Sequence, residues 1–333
     1  MTDDLVRPTI PIAYLADMTT GARAGAIRKA LGAASLPKRA LSSRRMRVSI
    51  TQFERFYTTL VRARDDELFG FLARPVPRGA YAMLVRLLTG SEDLGSALDA
   101  AARFYRLFDG RPVFELTVDR TTTTLSLDPR HRAKSVFFVH AFLLSASRTG
   151  DWLVGRTVPL DAVVLPRELA RFRSEARHLF GREPTFASGA PRIVFRTAHA
   201  KLPVVRRPDE ADAYVARSLR DLLVVPPRAS TETNLRAILA AGSDLPFDEA
   251  ARRLGFSRAS LARELARLGT SFLRVKDDLR RDHAIALLTE TRLGLDEIGV
   301  RLGYSGARAF QRAFRQWTGT TAGTFRVGSR SRT

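Results

Sequence analysis

The sequence predicts two folds in one chain: an α+β N-terminal domain, then an all-α C-terminal domain with two tandem helix-turn-helix motifs joined by a linker helix. Three observations carry this reading. A pattern of two short amphipathic helices, broken by a Gly-containing turn, occurs twice near the C-terminus. The hydrophobic period changes from 3.6 to 2 between about residues 113 and 127, and short β-type runs recur at 160–166 and 191–196. At 333 residues, the chain also exceeds the usual size of one domain.

Residues 1 to about 20 contain prolines and show weak periodicity, so they read as a partly ordered arm. Helical spacing begins at Ala22–Ala34 and returns at Ser49–Asp65, where Phe53, Phe56, Tyr57, Leu60 and Val61 share one face. Asp66–Leu72 is a short helix or turn, ended by Pro75-Val76-Pro77. Two helices follow, separated at Thr89-Gly90-Ser91, the second capped around Ser91 to Asp93. Then Val113–Val118 and Thr121–Leu127 alternate on either side of Asp119-Arg120, the pattern of a β-hairpin. A helix over Ala133–Thr149, strands at 160–166 and 191–196, and between them a helix over Glu168–Phe180 and a turn-rich Gly181–Gly189 complete an α+β set. A last helix runs from Asp209 to Val225, and Pro226-Pro227-Arg228-Ala229-Ser230 breaks it. The division expected is therefore 1–225, a linker at 226–230, and 231–333. So short a linker couples the two parts.

In the C-terminal part, Ile298, Leu302, Phe310, Phe314 and Trp317 recur at three- and four-residue steps around Gly303-Tyr304-Ser305-Gly306. That is the spacing of a helix-turn-helix over about 295–317. Ser305 reads as the N-cap of its second helix, whose outward face carries Arg308, Gln311, Arg312 and Arg315, long donors that reach base edges and phosphates. Leu254-Gly255-Phe256-Ser257 superimposes on Leu302-Gly303-Tyr304-Ser305 at an offset of 48, and Arg263 falls on Arg312 at 49. The later copy thus holds one extra residue early in its second helix. The earlier copy, about 247–268, presents Ser257, Arg258, Ala259, Ala262 and Arg263. Two alanines among the outward positions predict that it reads less sequence, through Arg263 and an alanine contact to a thymine methyl. Phe272, Val275, Leu279, Ala286 and Leu287 form the stripe of one linker helix, about 270–289, and readers about 34 Å apart enter successive major grooves.

These residues resemble the DNA-binding domain of the AraC/XylS family of bacterial transcription regulators over about the last hundred positions. Ile298-Gly299, Leu302-Gly303-Tyr304-Ser305, Phe310-Gln311-Arg312-Ala313-Phe314-Arg315, Thr318-Gly319 and Phe325-Arg326 carry the likeness. Gly299 stands where the family has a small Ala, Ala322 where it has Pro, and Phe325 where it has Tyr. The missing Pro removes a fixed φ ahead of the last helix, which is expected to loosen it slightly. The earlier part is similar to the arabinose-binding-type domain of one branch of that family. The order of Gly79-Ala80 and the helix after it, Ala102-Arg103-Phe104-Tyr105-Arg106-Leu107, the hairpin, Leu179-Phe180-Gly181 to Phe186, and Leu202–Arg206 carries this second likeness. The resemblance implies a dimer, a small-molecule effector held by the N-terminal domain, double-stranded DNA and RNA polymerase as partners, and activation as the commoner outcome.

Composition bounds the alternatives. No cysteine occurs, which excludes disulfides, thiolate metal sites and cysteine nucleophiles. No apolar run approaches 18 residues and no signal peptide pattern opens the chain, so a cytoplasmic protein with no membrane partner is expected. The net charge of +21 attracts polyanions but does not locate the DNA site: residues 230–333 carry 18 Lys+Arg against 11 Asp+Glu, and the longer N-terminal part is as basic per residue. The five histidines, at 131, 140, 178, 199 and 283, lack metal-site spacing, and Gly303–Ala307 misses a nucleophile elbow by its last glycine. No P-loop or dinucleotide fingerprint is present, so neither a catalytic role, a metal nor a cofactor is expected. The aromatics Phe53, Phe56, Tyr57, Phe69, Phe71, Phe104, Tyr105, Phe108, Phe137, Phe138 and Phe142 read first as core, and second as the lining of an apolar effector pocket beside His140. The expected function is a sequence-specific regulator responding to an effector. Its rivals are an effector-independent dimeric regulator and a basic, weakly specific nucleic-acid-coating protein.

Overall fold

The computed structural model describes residues 9–43, 45–128, 130, 135–224, 231–241, 245–268 and 270–330. The linker predicted at 226–230 and His131 lie outside them. Grouped by contact, the chain forms two units, one of residues 1–16, 27–59 and 229–333 and one of 17–26 and 60–228. Residues 1–16 and 27–59, assigned from the sequence to the N-terminal domain, thus group with the C-terminal one.

In the second unit, α4 (Ala80–Leu88) and α5 (Leu94–Asp109) precede the hairpin β3 (Phe114–Val118) and β4 (Thr122–Leu127). Asp93 caps α5 by accepting from Ser96 N at 2.8 Å. The hairpin turn is closed by Asp119, whose carboxylate accepts from the Thr121 and Thr122 amides and is held down to about 2 by those bonds. Helix α6 (Val136–Leu153) is buried over most of its first half, which explains the apolar run Val136–Leu144. Its first turn is satisfied by Ser135 and by Asp17, which accepts from Phe137 N at 3.0 Å; burial outweighs these bonds and raises the Asp17 carboxyl.

The sheet continues with β5 (Ala162–Pro166), β6 (Thr185–Ala187) and β7 (Arg192–Arg196), in spatial order β3-β4-β7-β5-β6. The hairpin register sets Leu116 against Leu125, and β4 sets Leu125 against Ile193 and Thr123 against Phe195, so one face is apolar. Strand β6 lies in the segment read as turns. It is three residues long, too short to show a period, and it pairs in parallel with β5. Between β5 and β6, a 3₁₀ turn over Arg167–Phe172 leads into α7 (Arg173–Phe180); α8 (Thr197–Ala200) and α9 (Ala211–Val224) follow β7.

The first unit gathers the remaining elements. The sequence treats residues up to 20 as an arm, yet β1 (Ile10–Pro11) pairs with β2 (Arg47–Val48), and α1 (Ile12–Met18) buries Ile12, Leu15 and Met18. Seven residues beside two prolines give too short a window for the 3.6 period to stand out. Helix α1, whose Asp17 and Met18 fall in the second unit, and helices α2 (Ala24–Ala33) and α3 (Ile50–Arg64) each have residues in both units. At the C-terminal end stand α10 (Thr231–Ala241), α11 (Phe247–Arg253), α12 (Arg258–Arg267), α13 (Phe272–Glu290), α14 (Leu295–Arg301), α15 (Ala307–Thr318) and α16 (Ala322–Arg330). Helix α10 has no counterpart in the sequence reading; its Leu235 and Leu239 close the core beneath α11 and α12.

Within this unit, Thr9 donates to the buried Asp282 of α13, and Arg47 donates to Thr9 Oγ1 at 2.8 Å. Arg281 bridges Asp278 at 2.7 Å and Asp282 at 3.1 Å. Burial opposes the charge on Asp278, but Arg281, Arg236, Arg47 and Arg274 together hold its carboxyl below the usual range.

Candidate nucleic-acid interface

The first helix pair is built on an aliphatic core. Ala250 and Ala251 of α11, Leu261 and Leu265 of α12, and Val275 and Leu279 of α13 are buried together, with Phe247, Leu254, Phe256 and Phe272 packed around them. Ser257 caps α12, accepting from Ser260 N at 3.1 Å. Gly255 in the turn has φ 73°, a left-handed conformation that costs a side-chain residue and suits glycine. Ser271 caps α13, which packs against α10, α14, α15 and α16. The helix therefore contributes to the cores of both pairs.

The second pair keeps the geometry with different chemistry. Its turn glycine, Gly303, has φ 81°, matching Gly255. The core is aromatic: Phe310 and Phe314 are fully buried with centroids 5.7 Å apart, and Phe325 of α16 meets Phe314 edge-on at 5.4 Å. Tyr304 flanks this cluster, 6.1 Å from Phe310 and 6.2 Å from Trp317. Buried Thr318 donates to Phe314 O at 2.8 Å and closes α15, with Gly319 at φ 74° as its left-handed C-cap. Thr321 takes up the start of α16, where Pro is absent, by accepting from Thr324 N at 3.1 Å.

Ser305 does not cap α15. The N-cap is Gly306, which has no side chain to accept a bond, and Asp296 of α14 reaches across the turn to accept from Ala307 N at 2.8 Å. The cause is the inserted residue. It moves Ser305 one position too far from the helix, and Gly306 takes φ 145° and ψ −176°, a region essentially restricted to glycine. The displaced backbone presses on α14. A Cβ on Gly299 would stand 3.0 Å from Gly306 O and 3.2 Å from Phe310 Cβ. Gly299, where the family has Ala, is thus the local answer to the insertion.

The predicted outward residues divide by what they touch. Arg308, Arg312 and Arg315 of α15 are exposed, with no ion pair among the described residues, and half-exposed Gln311 lies between them. Positions 308, 311, 312 and 315 fall on one helical face. In α12, Ala259, Ala262 and Arg263 are exposed and Arg263 is likewise unpaired among the described residues. Arg258 is different. Its Nη1 lies 2.8 Å from both Asp248 carboxylate oxygens and its guanidinium sits 5.2 Å over the Phe247 ring. Sequence reasoning missed Asp248, Asp296 and Gly306. The duplication carries a signal for the last alone, as its unmatched residue.

Several of the aromatics weighed as a pocket lining pack ring on ring: Phe69 on Phe137 at 5.6 Å, Phe71 on Phe138 at 5.0 Å, and Phe142 on Phe138 and Tyr105 at 5.4 and 5.0 Å. His140 is buried edge-on to Phe180, and burial depresses its imidazole to about 3, so it is neutral. A cavity of about 20 Å3 lies elsewhere in the second unit, lined by Leu94, Leu98, Leu125, Ala146, Ser147, Gly150, Val158, Leu160, Ile193 and Phe195.

A duplicated helix-turn-helix joined by one long helix, with an arginine-lined second pair, defines a DNA-binding regulator. Residues 25–204, over half of the chain, match the arabinose-binding domain of AraC transcription regulator, and residues 250–327 match a helix-turn-helix domain. The chain belongs to the AraC family of transcription regulators. It is 28% identical over 336 residues to an ornithine utilization regulator of Pseudomonas aeruginosa, covering 95% of this chain and 96% of that one. The HTH-type transcriptional regulator VqsM of the same organism is 37% identical over 76 residues, 23% of each chain. A crystal structure of the transcriptional regulator CdpR, also from P. aeruginosa, covers 74% of this chain and 81% of its own at 22% identity and a TM-score of 0.28. Among the described residues, no helix is long and apolar enough to cross a membrane.

Proposed function

We propose that this regulator recognises specific operators with both helix pairs and that the α+β domain controls it by holding a small apolar effector and dimerising. The observation that carries the DNA part is the face of α15, whose arginines make no ion pair among the described residues. Arg308, Gln311 and Arg312 read base edges, and Arg315 reaches phosphate. The turn serines Ser257 and Ser305 lie at the groove edge, and α12 adds Arg263 with the small surfaces of Ala259 and Ala262.

For the effector, the cavity chemistry is the guide. Its lining is aliphatic and aromatic apart from the Ser147 hydroxyl, and no charged residue is among the described residues that line it. An amino acid's ammonium or carboxylate would be buried there without a partner, a heavy cost, so the amino acid implied by the ornithine regulator's name is not carried over. About 20 Å3 is room for one water. An effector of several carbons needs the elements that line the cavity to part, and that movement shifts the population between arrangements that meet the half-sites differently. Contact with RNA polymerase then turns occupancy into transcription.

Genome-wide mapping of bound DNA, followed by affinities for the best sites and for random duplex at fixed salt, tests the DNA reading. Discrete sites bound about a thousandfold tighter than random DNA are expected. Diffuse, salt-labile occupancy would replace it with the coating protein. A panel of apolar ligands that never raises the melting temperature would leave the effector-independent regulator in its place.

A further inference from the structure

Residues 38–47, KRALSSRRMR, hold five cations and no carboxylate. They belong to the same contact unit as α15, although 200 and more residues separate them in sequence. Arg47 is turned inward to Thr9. Lys38, Arg39 and Arg45 are exposed and have no ion-pair partner among the described residues.

Arg45 stands at a particular place. The reading face of α15 runs through 308, 312 and 315, and its next position is Gly319, which has no side chain. A Cβ built on Gly319 would lie 3.7 Å from both Cβ and Cδ of Arg45. The stem of Arg45 therefore lies beside Gly319, within van der Waals reach of the position where the helix face ends. The turn that presents it is fixed: Ser43 Oγ accepts from Met46 N at 3.1 Å, Met46 is buried, and Met46 O accepts from Ile12 N at 2.9 Å. The C-terminal end of α15 is also the negative end of its dipole, which repels a phosphate unless a cation stands beside it.

We propose that Lys38, Arg39 and Arg45 form a phosphate-binding extension of the second reader, engaging the DNA backbone that flanks its half-site. The inference rests on the reading of α15 given above. It makes a segment from the start of the chain part of the DNA surface, and it adds affinity without sequence preference.

The test uses the full chain, its best operator and a random duplex, each titrated with salt. Arg39→Gln with Arg45→Gln is expected to weaken both duplexes by the same factor, about fivefold per lost contact at 0.15 M salt, and to flatten the log–log salt slope by about 0.9 per contact. Lys38→Gln added to them flattens it further. Unchanged affinity and slope with a lowered melting temperature would overturn the proposal and leave Arg45 as a cap on α15. Arg312→Ala is run beside them: lost discrimination there with silent Gln variants sinks the extension alone, and silence in both sinks the reading of α15 as well. Should the variants not fold, wild-type protein on operators trimmed from either end decides: one end, and not the other, should carry the loss in slope, and loss at neither end refutes the contact.

Discussion

The two helix-turn-helix pairs share a fold and almost nothing else. The first has an aliphatic core, a serine cap and an arginine held by Asp248; the second has an aromatic core, a cap borrowed from the preceding helix and three arginines without an ion pair among the described residues. The difference shows that spacing and turn conformation, conserved between Gly255 and Gly303, suffice for the fold. On the proposed reading, base recognition falls to the long side chains without an ion pair among the described residues, so the second pair is expected to carry the greater share of specificity.

Core substitutions strain this contrast most. Phe314→Ala removes a fully buried ring touching Phe310 and Phe325, and should lower stability by about 3–5 kcal/mol; the matching Leu265→Ala should cost about 2–5 kcal/mol. Urea denaturation of the full chain followed by probes in each pair checks the order. A larger loss from Leu265→Ala would mean that the aromatic core is not the tighter one.

Next comes the insertion. Gly299→Ala puts a methyl 3.0 Å from Gly306 O and should cost about 1–3 kcal/mol. Deleting Gly306 in that background should recover part of the loss, because the two changes share one contact. Additive losses in the double-mutant cycle would break the link between insertion and glycine. At the equivalent position in the first pair, Ala251→Gly is expected to cost about 1 kcal/mol, since there the methyl is accommodated.

On DNA, Arg312→Ala and Arg263→Ala should each lose about 1–3 kcal/mol on the preferred site and relax one base position. Arg258→Ala, already paired within the chain, should lose less than about 1 kcal/mol. Equal losses on cognate and random duplex would reduce the free arginines to phosphate contacts. The smallest expected difference lies in the caps. Asp296→Ala and Ser257→Ala should each cost about 1 kcal/mol by thermal melting, the same amount by two routes.

The sequence alone determined the repeated helix pairs, the linker helix, the β-hairpin and the apolar positions that fill each core, because period and turn chemistry are local and α15 shows both plainly. It also marked Arg308, Gln311, Arg312 and Arg315 as one face. Strand β6 and helix α1 escaped it, being too short to hold a period, as did the cap on α15, which comes from Asp296 eleven residues upstream. Tertiary structure decided which arginines are free, since Arg258 meets Asp248 only when the turn brings α12 back against α11. It alone set Arg45 against Gly319 and Thr9 against Asp282. Pairings of that kind depend on where distant backbone segments come to lie, and charge has no period along the chain to announce them.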